Sequence, residues 1–178
     1  MTLSSNARNP AWPGLLTITA VVGSLAAACM MPFTALAVLS AATLPGRPAA
    51  TAVVAAWLFN QGAGFGWLGY PHTADAAFQG LVIGLAALAA LATARAVRAE
   101  RGGLRLAVAF LAAFSVYELV LLAGALPTGG LWTFAPRYVA QVALTEALWF
   151  FGLLSLALLL QRLAPGLAPT RPIRLRPA

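Results

Sequence analysis

Five long apolar runs, at residues 14–44, 49–68, 76–97, 104–126 and 137–162, constrain the fold more than any motif in the chain. Crossing the roughly 30 Å hydrocarbon core of a bilayer takes about 20 helical residues, and each run supplies that many. Composition agrees. Of the 178 residues 61% are hydrophobic and 8% are charged, whereas a water-soluble domain has about a quarter of its residues charged. In lipid every backbone N–H and C=O needs an internal partner, which leaves helices or a closed barrel. The alternating segments of a barrel strand are missing from this sequence. The sequence therefore predicts an all-α, polytopic integral membrane helix bundle with five transmembrane helices, in a bacterial inner (cytoplasmic) membrane.

As one straight helix the run 14–44 would be about 46 Å long, and Pro32 stands near its middle. A tilted span kinked at the proline is the expectation. The alternative is a broken or re-entrant pair split at Pro32, which makes six hydrophobic passes and returns the N-terminus to the cytoplasmic side. The run is too internal and too long for a removable secretory signal. One cysteine, Cys29, permits no internal disulfide. Around a single transmembrane domain over 14–163, the sequence predicts a short N-terminal segment over 1–13. A Pro/Arg-rich, disordered cytoplasmic tail is expected over 164–178.

A net charge of +7 arises from eleven arginines and no lysine, set against four acids. In a soluble protein that excess would suggest nucleic acid; here it reports topology, and no nucleic-acid partner is expected. Threading five helices alternately puts nine arginines on one face, leaving Arg8 and Arg137 on the other. The nine-arginine face is cytoplasmic by the positive-inside rule. Trp12, Trp67 and Trp132 then read as aromatic anchors near the outer surface. Dense small residues, including the pair Gly80 and Gly84, allow close helix approach.

Polar side chains inside the runs are few, and each costs several kcal/mol to place in hydrocarbon. The stretch Trp-Leu-Phe-Asn-Gln-Gly-Ala-Gly-Phe-Gly at 57–66 carries Asn60 and Gln61; Gln79, Tyr117, Glu118, Gln141, Thr145 and Glu146 complete the set. Counting from the outer joints, Asn60, Glu118 and Glu146 all lie roughly 12–14 Å below the outer boundary. Concentration in one leaflet suits a pocket entered from outside, whereas hydrogen bonds that only hold helices together could scatter through both. Arg137, Gln141, Thr145 and Glu146 read as one face of the last helix, with Arg137 paired to Glu146 or Glu118, or set at the pocket mouth. The candidate substrate-binding residues are thus Asn60, Gln61, Gln79, Tyr117, Glu118, Arg137, Gln141 and Glu146.

No catalytic or metal-binding set is assigned. A lone histidine, His72, sits beside Asp75 in a joint, which excludes a bis-histidine haem in this chain and gives no metal-ligand spacing. Consecutive Cys29, Met30 and Met31 point around a helix rather than to one side. The Gly-Ala-Gly-Phe-Gly run lacks the preceding strand and the Lys-Ser/Thr of a nucleotide loop. No cofactor follows from the sequence, and a membrane enzyme ranks third among the readings.

The leading reading is a small transport component that binds a small solute in a polar pocket in the outer half of the bilayer. In size and architecture such a chain is similar to the substrate-capturing subunits of energy-coupling-factor transporters, which depend on partner subunits for energy. The alternative is a non-catalytic structural or assembly subunit of a larger membrane complex, of respiratory or photosynthetic type. Expected partners are the lipid bilayer, other membrane protein subunits and a small-molecule ligand.

Overall fold

A computed structural model describes residues 11–26, 31–97, 99 and 102–173. The described chain is helical, with no strand. Its six α-helices are α1 (Ala11–Ala26), α2 (Phe33–Thr43), α3 (Gly46–Gly66), α4 (Ala74–Ala96), α5 (Gly103–Ala125) and α6 (Pro136–Leu163). Three of them, α4, α5 and α6, are long and apolar enough to cross a membrane. Large apolar side chains cover their outward faces, Leu85, Leu111 and Leu148 among them.

The single kinked span expected over 14–44 is instead two helices. Proline lacks an N–H and its ring clashes with the carbonyl four residues back, so it is tolerated at a helix start and not inside one. Accordingly α2 begins immediately after Pro32. At the far end of α2 the backbone turns extended at Leu44, Pro45 follows, and α3 starts at Gly46. Cys29 and Met30 lie outside the described residues.

The two pieces run antiparallel. Trp12, at the start of α1, donates its indole N–H to Thr43 Oγ1 at the end of α2, at 2.9 Å. Trp12 is therefore not an anchor at the outer surface: it is fully buried, at the opposite end from Trp67 and Trp132. That end is tied together by further bonds. Arg95, in the last turn of α4, donates to the carbonyls of Pro45 and Gly46 at 3.4 and 2.8 Å. The backbone N–H of Arg171, eight residues past α6, donates to the carbonyl of Thr43 at 3.0 Å. Ile173 packs against the core beside it. So the described part of the tail is seated on the end of α2; residues beyond 173 lie outside the described set.

Helix α2 forms the axis of the bundle. All eleven of its residues are buried, and α3, α4, α5 and α6 all pack against it. At about 16 Å it reaches halfway through a hydrocarbon core. Lipid tails are as apolar as leucine, so association of such helices rests on close packing rather than on the hydrophobic effect. The sequence meets that requirement with small residues. Ala35, Ala37, Ala41 and Ala42 on α2 and Ala86, Ala87, Ala90 and Ala94 on α4 are all buried.

Glycines serve the same purpose between α3 and α4. The Trp57 ring lies on Gly84, where a Cβ would come within 2.8 Å of it, and its indole N–H donates to the Gly80 carbonyl at 2.7 Å. Gln61 covers Gly80 itself. The small-residue pair thus seats two side chains of this same chain.

Candidate functional site

Helix α2 starts deep within the bundle, which raises the question of where its N-terminal N–H groups find partners. The first four donors of a helix have none within it. Phe33 N–H bonds the Met31 carbonyl at 2.9 Å, and Leu36 N–H bonds the Pro32 carbonyl at 2.9 Å. The other two are met from α6. Glu146 Oε1 accepts from Thr34 N–H at 3.1 Å, and Glu146 Oε2 accepts from Ala35 N–H at 2.9 Å. One carboxyl group on a neighbouring helix therefore does the work of an N-cap. It also sits at the positive end of the α2 dipole. Glu146 is 3% exposed, so its intramembrane position has a structural partner.

Beside this junction lies a partly open cavity of about 420 Å³. Asn60 and Gln61 enter it from α3, Gln79 from α4, Tyr117 and Glu118 from α5, and Thr145 and Glu146 from α6. Phe33 and Met31 close it on the side of α2. Tyr70, Pro71, Thr133 and Phe134, from the two joints at that end, also line it.

The glycines between Asn60 and Tyr70 explain how Tyr70 arrives there. Helix α3 ends at Gly66, and Gly69 adopts a left-handed conformation (φ 74°) that L side chains rarely take. The chain doubles back, Tyr70 N–H bonds the Gly64 carbonyl at 3.0 Å, and the Tyr70 ring lies flush on Gly64. Phe65 stacks edge-on to Tyr70 at 6.0 Å and tilts toward His72 at 5.6 Å. Gly64 and Gly69 thus admit a folded-back aromatic wall.

Six of the eight candidate residues share the cavity: Asn60, Gln61, Gln79, Tyr117, Glu118 and Glu146. Arg137 and Gln141 do not line it, and both are exposed. Helical spacing accounts for this. At about 100° per residue, the nine positions from Arg137 to Glu146 leave the two side chains half a turn apart. The inward face of α6 is instead Val142, Thr145, Glu146 and Phe150. Arg137 lies over the neighbouring Tyr138 ring at 4.6 Å and donates to its hydroxyl at 3.0 Å. No ion pair joins it to either glutamate among the described residues.

The polar groups of the cavity differ in how far they are already engaged. The Gln79 amide nitrogen donates to Thr128 Oγ1 at 2.7 Å and to the Gly124 carbonyl at 3.4 Å, tying the start of α4 to the end of α5. Both Glu146 oxygens are occupied. Glu118, half-buried, and the side chains of Asn60 and Gln61 make no hydrogen bond among the described residues. Tyr117 is 6% exposed; its ring faces Phe33 at 6.4 Å, and its hydroxyl likewise has no partner among them.

Sequence reasoning missed Phe33 and Tyr70 as parts of the wall. Neither carries a signal of its own, since Phe33 reads as ordinary apolar helix and Tyr70 as a loop anchor. Among the described residues no three His, Cys, Asp or Glu side chains come together as a metal site. Comparison with protein-family models, with curated proteins and with solved structures finds no match to this chain.

Proposed function

We propose that this chain is a small, multipass transport component of the bacterial inner membrane that captures a small solute from the outer side. The observation that carries this reading is the set Asn60, Gln61, Tyr117 and Glu118. These four polar side chains without hydrogen-bond partners among the described residues line one cavity of about 420 Å³. A polar group in hydrocarbon without a partner costs several kcal/mol, and a solute that bonds to all four removes that cost. The cavity volume falls in the range of small-molecule sites, about 300–1,000 Å³.

In this reading α3, α4, α5 and α6 cross the bilayer, while α1 and α2 enter from the cytoplasmic side and return to it. Arg47, Arg95, Arg105, Arg162 and Arg171 cluster at the end where α2 finishes, which supports a cytoplasmic assignment for that end. The cavity then faces outward, between the joints at 67–73 and 126–135. An energy-supplying partner subunit completes the scheme, and the exposed apolar faces of the long helices meet lipid and that partner.

The reading as a structural or assembly subunit draws less support. It rests on small-residue faces and on Glu118 and Glu146 pairing with a neighbour's arginines, but Gly80 and Gly84 are already covered by Gln61 and Trp57 of the chain itself, and Glu146 is engaged by the start of α2. Thermal unfolding of the purified protein against a broad solute collection separates the two, because a bound solute raises the melting temperature by mass action. A solute whose effect disappears in Asn60→Leu supports capture. If no solute shifts the melting temperature and the protein copurifies stoichiometrically with a large complex, the assembly reading replaces it.

A further inference from the structure

The chemistry of the cavity wall narrows the class of solute, given the capture reading above. Among the described residues its titratable side chains are Glu118, Glu146, Tyr70 and Tyr117, and no arginine lines it. The nearest candidate counter-ion in the sequence, Arg137, is turned away onto Tyr138. Of the two carboxyl groups, Glu146 spends both oxygens on the N-terminus of α2. Glu118 has no partner among the described residues. The amide of Asn60 offers its carbonyl oxygen as a further acceptor. Tyr117 adds a second, independent mark of a missing ligand: more than nine-tenths buried, it lines the cavity with its hydroxyl unpartnered among the described residues.

We infer that the occupant is a small organic cation, its ammonium group held by Glu118 with the Asn60 carbonyl, and its hydrocarbon part against Phe33, Tyr70 and Tyr117. Each part of the wall favours that chemistry over the others. An anion would meet two carboxyl groups and, among the described residues, no arginine, so its desolvation would go uncompensated. A bare metal ion would lack a set of three acidic, His or Cys ligands among the described residues. Aromatic faces attract a cation through their ring quadrupole and also cover alkyl or aryl groups, which inorganic ions do not possess.

The test uses three probes of one shape and different charge: benzylammonium, benzyl alcohol and benzoate, with choline as a second cation. Each is titrated against the purified full chain in detergent, and the melting temperature is followed. Saturating benzylammonium or choline is expected to raise it by about 5 °C, with benzyl alcohol and benzoate giving little or nothing. Glu118→Gln should abolish the shift while keeping its own unliganded melting temperature. Asn60→Asp adds a carboxyl group to the wall and should tighten binding of the cations several-fold, a gain that misfolding would not mimic. Stabilisation by benzoate or benzyl alcohol that is lost in Asn60→Leu would overturn the cation assignment and leave the capture reading standing. Cation binding unaffected by both Glu118→Gln and Asn60→Asp overturns the assignment as well. Silence from all four probes and from the broad solute collection overturns both.

Discussion

Glu146 on α6 and Ala35 on α2 are joined by a hydrogen bond of 2.9 Å, from the backbone N–H of one to the carboxyl group of the other, across 111 positions of sequence. With the parallel bond from Thr34, it fixes the end of a half-length helix at the wall of the cavity. Non-helical backbone at membrane depth is tolerated only where protein or a water-lined space satisfies it. At Thr34 and Ala35 the start of α2 meets that condition through this one side chain. The same residue that caps α2 also lines the candidate site.

Replacing Glu146 by glutamine should therefore destabilise the fold even though the shape is kept. A glutamine offers one carbonyl oxygen where two acceptors are used, and its NH₂ group cannot accept. One backbone N–H is left buried and unpaired, at a cost of about 1–3 kcal/mol. Thermal unfolding in detergent should show a fall of several degrees for Glu146→Gln and a larger one for Glu146→Ala. Equal melting temperatures for wild type and Glu146→Gln would mean that the α2 terminus finds its partners elsewhere.

Packing of α1 depends on a contact of another kind. The Trp149 ring of α6 lies against Gly23, in the space a Cβ would occupy. Gly23→Ala should push the ring aside and cost about 1–3 kcal/mol. In a double mutant with Trp149→Leu most of that penalty should vanish, because the smaller side chain leaves room for the methyl group. A purely additive pair of losses, measured by thermal unfolding, would place Gly23 away from Trp149.

Much of this arrangement is legible in the sequence, and what is not has identifiable physical causes. The apolar runs bracket α3 to α6, and α4, α5 and α6 among them are continuous and apolar for the about 20 residues that a crossing takes. Pro32 marks where the first run breaks. A proline interrupts the hydrogen-bond ladder but does not specify whether the chain goes on or turns back, and the antiparallel pairing is set by contacts such as Trp12 with Thr43. The partner of Glu146 was illegible for a different reason: it is backbone, and an N–H has no signature in a sequence. Arg137 and Gln141 fall away from the Glu146 face because each spacing of four residues drifts by about 40° and the one further residue to Glu146 adds about 100°.

That drift makes Arg137 a useful control. Exposed and stacked on Tyr138, it faces away from the cavity. Arg137→Ala should change stability by no more than about 0.5 kcal/mol and should leave any solute-induced rise in melting temperature intact. A lost solute response in Arg137→Ala would bring the guanidinium back to the mouth of the pocket.

The pairing of α1 with α2 sets which end of the bundle α1 starts from. Trp12 shares one end of the bundle with Thr43, Arg95 and Arg171, so the start of α1 and the end of α6 should face the same compartment. A kinked single span over 14–44 would put them on opposite sides. Cysteine labelling in intact cells distinguishes these, once the native Cys29 has been replaced by serine. With Thr17→Cys and Gly166→Cys, a membrane-impermeant maleimide should leave both unmodified until the membrane is opened. Cysteines in place of His72 and Leu131, in the joints at the other end, should react at once. Labelling of Thr17→Cys from outside, with Gly166→Cys protected, would restore the single span and remove the re-entrant helix on which the geometry of the cavity depends.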